Sequence, residues 1–266
     1  EGHMIHIIKT RFMQHQPTLH NLGVARLKLF QSFTLPSLEY QKNRNFLWTI
    51  KTDPALDSNL KAALIDTLNR SRIRDRIILI ADNINPPCLK WQVLLPKEAI
   101  LYGNYSLWEE YYAAAKQDNT VVVETTVDAD DGLPSDFVHY IHHQVRRTIH
   151  APHDWKFWCT HHHLEWQASD PNESTVQLLF VSQRKKANNK QQDPRYGYVG
   201  SDTVKRCLTA GLTMAFGIHA SRADFPGNMM HTRLEDLAPY CDPLPEEEEE
   251  EGETSSFLGE SYISIP

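Results

Sequence analysis

The stretch that decides the fold is T-V-V-V-E-T-T-V-D-A-D-D-G-L, residues 120–133. Thr120 to Val127 is rich in β-branched side chains and predicts the strongest strand of the chain. Three carboxylates follow directly, at Asp128, Asp130 and Asp131. Because ligands of parallel α/β sheets sit outside the carboxyl ends of the strands, this order predicts a binding site at the end of that strand.

Around this stretch, the first 150 residues alternate between strand and helix patterns. Apolar runs predict strands at Ile5 to Ile8, Asn45 to Thr52 and Arg76 to Ala81, with Lys9 to Arg11 in a loop. Helical spacing predicts helices at Leu22 to Gln41, Leu56 to Arg70, Tyr105 to Lys116 and Pro134 to Ile149. Pro36 should bend the first helix, and Pro134 should lie in the first turn of the last. The alternation predicts an α/β fold with a mostly parallel central sheet flanked by helices.

The second half has a more mixed pattern. Strands are predicted at Lys156 to Gln167 and Thr175 to Val181, with a long polar loop at Gln183 to Arg195. Cys207 to His219 fits either a strand or a helix. The predicted division is a cloning scar at 1–4, a nucleotide-binding half at 5–150, an acceptor-binding half of the same domain at 151–242, and an acidic, disordered tail at 243–266.

Charge and cysteine usage restrict the partners and the compartment. The net charge is −7, and the six consecutive glutamates at 246–251 supply most of it. No basic stripe points to nucleic acid, and no apolar run approaches the ~20 residues that span a bilayer. The four cysteines form no C-x-x-C pair. They favour the cytoplasm and still allow a secretory-pathway lumen if a native anchor was trimmed from this sequence.

The aspartate cluster has a specific chemical meaning. Crowded carboxylates repel one another unless a cation joins them. Mg²⁺ and Mn²⁺ prefer oxygen ligands and commonly share their coordination with substrate phosphates. The cluster therefore predicts a Mn²⁺ or Mg²⁺ site that receives a diphosphate. The alternative is an Asp-rich turn that only caps the next helix, and Gly132 fits both interpretations.

Several segments resemble the rhamnosyltransferase family of glycosyltransferases with the GT-A fold, over most of residues 5–240. The matching segments are T-R-F at 10–12, R-L-K-L-F-Q-S-F-T-L-P-S-L-E-Y-Q at 26–41, N-F-L-W-T-I-K-T-D-P-A-L at 45–56, V-D-A-D-D-G-L at 127–133 and C-L-T-A-G-L-T at 207–213. The resemblance implies a nucleotide-sugar-binding fold. It also implies transfer of a sugar, rhamnose if the family name holds, from a nucleoside-diphosphate donor to a hydroxyl acceptor such as a glycan.

The resemblance also implies roles for individual residues. The nucleotide would contact Thr10, Arg11, Asp53 and Asp128. The metal ligands would be Asp128, Asp130 and a later histidine, His231 first and His219 second. Asp131 would support the metal ligands or contact the donor sugar. The catalytic base would be a late carboxylate, Asp224 or Asp202.

Other residues leave alternatives open. Trp155 and Trp158 follow the aspartate cluster and are the candidates for stacking on an acceptor sugar. His139 with His143, and His161 with His163, have spacings that could hold zinc, although ordinary surface histidines explain them better. The competing functions are a metal-dependent phosphatase that uses the same D-x-D arrangement, and an inactive nucleotide- or carbohydrate-binding module.

Overall fold

The computed structural model describes residues 3–84, 94–117, 119–149, 155–160, 162–167, 179–181, 198–203, 211–217, 220 and 262–265. The helices are α1 His20–Leu29, α2 Leu35–Glu39, α3 Ser58–Asn69, α4 Tyr105–Ala115 and α5 Phe137–Thr148. The strands are β1 His3–Phe12, β2 Leu47–Thr52, β3 Ile77–Ala81, β4 Ile100–Tyr102, β5 Thr120–Thr126, β6 Trp155–Thr160, β7 His162–Gln167, β8 Leu179–Val181, β9 Tyr198–Thr203, β10 Leu212–Phe216 and β11 Tyr262–Ile265.

The described strands form one large mixed sheet and one small sheet. The large sheet has the order β11-β6-β10-β5-β1-β2-β3-β4, and the small one β7-β9-β8. Strands β5, β1, β2 and β3 run parallel to one another, whereas β4, β10, β6 and β11 join antiparallel. The prediction of an α/β fold with a mostly parallel core is confirmed, and the carboxyl ends of the four parallel strands lie at one edge.

Both faces of the large sheet are buried, which explains why its parallel strands are so apolar. One face packs against α1, α2, α3 and α5 through residues such as Leu64 and Ile141. The other face packs against α4 through Trp108. Strand residues alternate between the two cores, as Leu47 and Trp48 do on β2.

The first strand is longer than the sequence predicts. Lys9 to Arg11, predicted to form a loop, are paired with β2 inside β1. Their polar side chains have partners there: Lys9 forms a salt bridge with Glu124, and the Thr10 hydroxyl accepts from the Trp48 indole at 2.9 Å. Because β1 has a parallel neighbour on each side, its backbone pairing continues beyond the apolar run. His3 and Met4, predicted to belong to a cloning scar, also lie in β1 and pair with β5.

The bend predicted at Pro36 takes the form of a π-helical segment at Phe30–Thr34 between α1 and α2. Proline has no backbone N–H, so it cannot pair with the carbonyl four residues earlier. In the residue before the proline, the N–H of Leu35 donates to the carbonyl of Phe30, five residues earlier, which is the π-helical pattern. Pro36 then lies in the first turn of α2, where no N–H is needed.

The start of α5 differs from the prediction. Pro134 lies in the turn before the helix, where its carbonyl accepts from the N–H of Phe137. Phe137 is the first helical residue. Residues 134–136 therefore belong to the connection between the aspartate cluster and α5.

The second half departs most from its predicted pattern. The single strand predicted at 156–167 is two strands, β6 and β7, in different sheets. Of the strand predicted at 175–181, β8 covers the last three residues, and Cys207 to His219 contains strand β10. The tail predicted to be disordered contains β11, which pairs with β6. The polar loop at 183–195 and the glutamate run lie outside the described residues.

Candidate functional site

The aspartate cluster lies where β5 leaves the sheet. The N–H of Val127 still bonds to the carbonyl of Lys9, and the chain then turns, with the N–H of Asp131 donating to the carbonyl of Asp128 at 3.2 Å. Val127, Ala129 and Leu133 are buried and anchor the turn in the core. The cluster thus stands at the carboxyl edge of the parallel strands, as the sequence predicts.

The three carboxylates of the turn differ in exposure. Asp130 is exposed, and Asp128 and Asp131 are half-buried. Burial, together with the charges of Asp128 and Asp130, raises the pKa of Asp131 to about 6. The protein environment therefore opposes the ionisation of Asp131.

The segment is held in place by the helix that contains the π-helical turn and by the chain that follows it. The Thr34 hydroxyl donates to the carbonyl of Asp128 at 3.4 Å. The side chain of Gln41 donates to the carbonyl of Pro134 at 2.7 Å and accepts from the N–H of Val138 at 3.0 Å. The N–H of Lys42 donates to the carbonyl of Ser135 at 2.7 Å. Gln41 and Lys42 therefore fix the exit of the cluster into α5.

Gly132 is not required by the local packing. A Cβ atom at this position would lie 3.5 Å from the Cβ of Ser37, an ordinary van der Waals distance. The backbone there does not have the positive φ that favours glycine, unlike Gly103 at φ 100°.

Arg11 and Thr10, predicted to contact a nucleotide, have different environments. Arg11 reaches the cluster: its guanidinium lies 3.4 Å from the Asp128 carboxylate, and the two side chains are 42% and 30% exposed. Thr10 is buried and accepts from Trp48, so its hydroxyl is part of the core. The structure therefore brings Arg11, but not the Thr10 side chain, to the aspartates.

Asp53 lies after β2 at the same edge, in a fully bonded setting. One carboxylate oxygen accepts from the N–H of Ala55 at 2.8 Å and the other from the Asn83 amide at 2.9 Å. The pKa of Asp53 is lowered, mainly by the Ala55 N–H, although burial opposes this. Asp53 is therefore a stable anion without any added cation.

Sequence reasoning missed the neighbours of Asp53. Lys51 on β2 forms a salt bridge of 3.1 Å with Asp82, and Gln14 donates to the Asp82 carbonyl at 2.7 Å. Each of these polar residues lies at or just beyond the end of an apolar strand, and that position is the one signal that could have revealed them. Nearby, Met13 and His15 adopt positive φ values of 53° and 61°, which are uncommon for residues other than glycine.

The remaining predicted site residues fall in the second half of the chain. Asp202 lies in β9 of the small sheet, where its backbone pairs with His163. The other catalytic-base candidate, Asp224, and both predicted histidine ligands, His231 and His219, lie outside the described residues.

The predicted stacking tryptophans do not form a surface. Trp155 and Trp158 are 8% and 1% exposed and belong to the two cores. Trp155 stacks on Phe157, two residues along the same strand. Because both rings are covered, the structure contradicts the prediction that they stack on an acceptor sugar. Their position after the aspartate cluster in sequence did not reveal that β6 is an interior strand.

The histidine pairs whose spacing could hold zinc have ordinary environments where the structure describes them. His139 and His143 are exposed on α5, whereas His142 between them is buried. His161 is outside the described residues. Within the described part of the chain, no group of three or more His, Cys, Asp or Glu residues is arranged to hold a metal ion.

One cysteine has a defined state. Cys159 on β6 is buried and disulfide-bonded. The other three cysteines lie outside the described residues.

Comparison with known proteins does not identify a family: no family model matches the chain, and no curated protein is significantly similar to it. Of the helices in the described ranges, none has the length and apolar character required to cross a bilayer.

Proposed function

We propose that the protein is a metal-dependent glycosyltransferase with a GT-A-like fold that moves a sugar from a nucleoside diphosphate to a hydroxyl acceptor. The observation that carries the proposal is the group of three carboxylates directly after β5. The pKa of Asp131 is raised to about 6 there because burial and two neighbouring carboxylates oppose its charge. A bound divalent cation would remove this repulsion.

The oxygen donors of the turn suit Mn²⁺ or Mg²⁺ chemically. Because no group of three such residues is arranged around an ion in the described part of the chain, a bound ion would need further ligands from the substrate. Asp128 and Asp130 offer oxygen donors, and one or two carboxylates together with substrate phosphates are the usual ligands of Mg²⁺. The small number of protein donors in the described site therefore suits a metal that is shared with a diphosphate. His231 would complete the site if the resemblance holds. Such a cation stabilises the negative charge that develops on a leaving diphosphate.

Arg11 supplies a second positive charge. Its pairing with Asp128 is half-exposed and 3.4 Å long, so it contributes little to stability. The guanidinium can leave this carboxylate at small cost and bind a phosphate, for which its planar fork is well suited. In the proposed complex Asp128 faces the cation and Arg11 faces the diphosphate.

Asp53 and Asn83 would form the part of the site that receives the nucleoside. Because both Asp53 oxygens accept from the protein, the carboxylate is fixed in position and retains lone pairs for a ribose hydroxyl. In the described part of the chain, the Thr52 hydroxyl and the Asn83 carbonyl oxygen are buried without a hydrogen-bond partner. These unsatisfied atoms support a polar ligand at this edge.

For the acceptor side of the site we propose only a catalytic base. A carboxylate near the acceptor hydroxyl would remove its proton as the new bond forms. Asp224 and Asp202 remain the two candidates. With Trp155 and Trp158 buried in the cores, acceptor contacts are assigned to neither.

The decisive variant is Asp130→Asn, because Asp130 is exposed and its removal leaves the buried anchors intact. Mn²⁺ affinity should fall, and donor-sugar transfer or hydrolysis should drop by about 10²–10³. The metal-free Tm should be unchanged or slightly higher, because one of three crowded charges is gone. Asp66→Asn removes the same charge from a 63% exposed position on α3 and is the matched control.

Three other outcomes would count against the proposal. Wild-type Mn²⁺ affinity and turnover in Asp130→Asn would leave only a structural turn between β5 and α5, whose N-cap residue is Asp136, six residues later. Metal-dependent diphosphate binding by the wild type without turnover would indicate a binding module. Hydrolysis of phosphomonoesters without use of nucleotide sugars would indicate a phosphatase.

A further inference from the structure

A chain of buried and half-buried hydrogen bonds connects α5 to strands β1, β5 and β10. Two histidines form its centre, with the Nδ1 of His6 on β1 lying 3.0 Å from the Nε2 of His142 on α5. The remaining links, in order, are Asn43 Nδ2 to His142 Nδ1 at 3.0 Å, His6 Nε2 to Thr125 Oγ1 at 2.8 Å, Thr125 Oγ1 to Thr213 Oγ1 at 2.6 Å, and Thr213 Oγ1 to the Gly211 carbonyl at 3.1 Å.

The two ends of the chain fix the direction of every bond. Asn43 cannot turn its amide, because its carbonyl oxygen accepts from the N–H of Asn45 at 2.9 Å. Its NH₂ group therefore donates, and His142 must be the Nε2–H tautomer. His142 then donates to His6, which must also be the Nε2–H tautomer and donates to Thr125. At the far end the Gly211 carbonyl can only accept, so Thr213 donates to it and Thr125 donates to Thr213.

This arrangement is complete only when both rings are neutral. A proton added to His142 Nδ1 would face the NH₂ group of Asn43, and two donors would oppose each other. A proton added to His6 Nδ1 would face the Nε2–H of His142. If His142 changed tautomer to accept that proton, its Nδ1–H would again face Asn43. Every site for one extra proton therefore breaks a link.

Among the described residues, no carboxylate contributes to the pKa shift of either ring. His6 and His142 are each 1% exposed, and Thr125 and Thr213 are fully buried. Burial is the main cause that lowers the pKa of both histidines, to about 4 for His142. The neighbouring titratable groups are Arg146 and His139 on α5, and both lower the His142 pKa further.

The other elements packed against His6 and His142 contribute uncharged groups to the hydrogen-bond network. These groups are Thr125 from β5, Thr213 from β10 and Asn43 from the segment after α2. The charged residues next to Asn43 are Lys42 and Arg44, and both are exposed. The Lys42 ammonium lies 3.8 Å from the Asp136 carboxylate, and the Arg44 guanidinium donates to the Glu39 carbonyl.

The two ends of this hydrogen-bond network are next to the segments that come before and after the aspartates in sequence. The N–H of Gly211 donates to the carbonyl of Thr126, two residues before Asp128. At the other end, Asn43 follows Lys42, whose N–H holds Ser135 just after the cluster. The histidine pair therefore connects the strand that enters the aspartate turn to the segment that leaves it.

We propose that His6 and His142 form a proton-sensitive lock that fixes α5 and the aspartate segment against the sheet when neutral and releases them on taking up one proton. The lock itself does not depend on the enzymatic assignment, whereas its effect on donor binding rests on the proposed function.

The sign of the pH effect follows from the lowered pKa values. Between about pH 6.5 and about pH 4 the unfolded chain binds a proton at His142 that the folded chain refuses. Stability is therefore complete above pH 6.5 and is lost as the pH falls. Each such proton raises the unfolding constant about tenfold per pH unit within this window.

The first test uses the wild-type protein and nitrogen-15 NMR of the histidine rings. At pH 7.5, His6 and His142 should both show a protonated Nε2 and a bare Nδ1, and neither should become charged above pH 5.5. Either ring in the Nδ1–H form, or charged at neutral pH, would overturn the proposal without reference to any activity.

The second test compares variants by the pH dependence of unfolding and by hydrogen exchange. His142→Gln should be less stable at pH 7.5, and its unfolding constant should rise about tenfold less per pH unit below 6.5 than that of the wild type. His139→Gln, an exposed change on the same helix, should behave as the wild type. In the wild type, protection of the Phe137 and Val138 amides, which donate to the Pro134 carbonyl and the Gln41 side chain, should fall at pH 5 after correction for the intrinsic rate. Equal pH slopes in His142→Gln and the wild type would refute the lock.

Discussion

Two groups of carboxylates lie at the same edge of the same sheet, and their environments shift carboxylate pKa values in opposite directions. At the end of β2 and β3, Asp53 accepts hydrogen bonds at both oxygens, and Asp82 is paired with Lys51. At the end of β5, Asp131 lies beside two more carboxylates, and its pKa rises to about 6. The pKa of Asp53 moves in the other direction.

The difference indicates which group requires something from outside the chain. A carboxylate whose oxygens are bonded to the protein stabilises the fold on its own. In a crowded group the ionisation of a carboxylate costs free energy, and an added positive charge would offset that cost. We infer that the β2–β3 end is a preformed support and that the β5 end is where a cation acts.

The largest expected effect on stability is at the supporting end. Asp53→Ala removes the acceptor for the Ala55 N–H and the Asn83 amide, leaving both donors unsatisfied. The Tm should fall by several degrees in the absence of any ligand. Asp66→Ala, which alters a largely exposed pair with Arg70, should leave the Tm nearly unchanged. Equal effects of the two substitutions would show that the Asp53 contacts are not structural.

A smaller effect of opposite sign is expected at the crowded end. Asp131 ionises less readily in the fold than in the unfolded chain, so wild-type stability falls as the pH rises from about 3.8 to about 6. Asp131→Asn should therefore be more stable at pH 7.5 by roughly 1 kcal/mol after allowance for solvent screening. The gain should vanish at pH 4.

Denaturant unfolding at the two pH values measures this effect. Asp136→Asn, five residues further along and near Lys42, is the control and should give no such gain. A destabilised Asp131→Asn at pH 7.5 would mean that the ionised carboxylate has a stabilising partner in the fold.

The smallest stability effect is expected for Arg11→Gln. The pair with Asp128 is half-exposed, so its loss should change stability by less than about 0.5 kcal/mol. If Arg11 turns to the diphosphate, the same variant should bind a nucleoside diphosphate with Mn²⁺ clearly more weakly. Unchanged ligand affinity together with a large loss of stability would show that Arg11 stabilises the fold and does not bind the diphosphate.

The sequence predicted the parallel core because its strands and helices are local patterns. The β-branched run of β5, the apolar runs of β2 and β3 and the amphipathic α3 each lie within a few residues of their predicted limits. The position of the aspartate cluster could be predicted because it comes directly after the β5 run. Patterns of this kind depend on neighbours along the chain and are therefore visible in one sequence.

The missed features depend on contacts between distant residues. His6 and His142 are 136 positions apart, and no local pattern connects them. The interior position of Trp158 depends on β10, which lies between β5 and β6 in the sheet although it follows both in sequence. Burial of a polar residue such as Lys51 likewise depends on Asp82, 31 residues later.

The most direct test of the central claim is calorimetric binding of a nucleoside diphosphate to the wild-type protein, in Mn²⁺ and in EDTA. If the carboxylates at the end of β5 need a cation before they admit two further negative charges, diphosphate affinity should be strong in Mn²⁺ and nearly lost in EDTA. By linkage, the diphosphate should strengthen Mn²⁺ binding by the same factor. Equal diphosphate affinity with and without the metal would contradict the account.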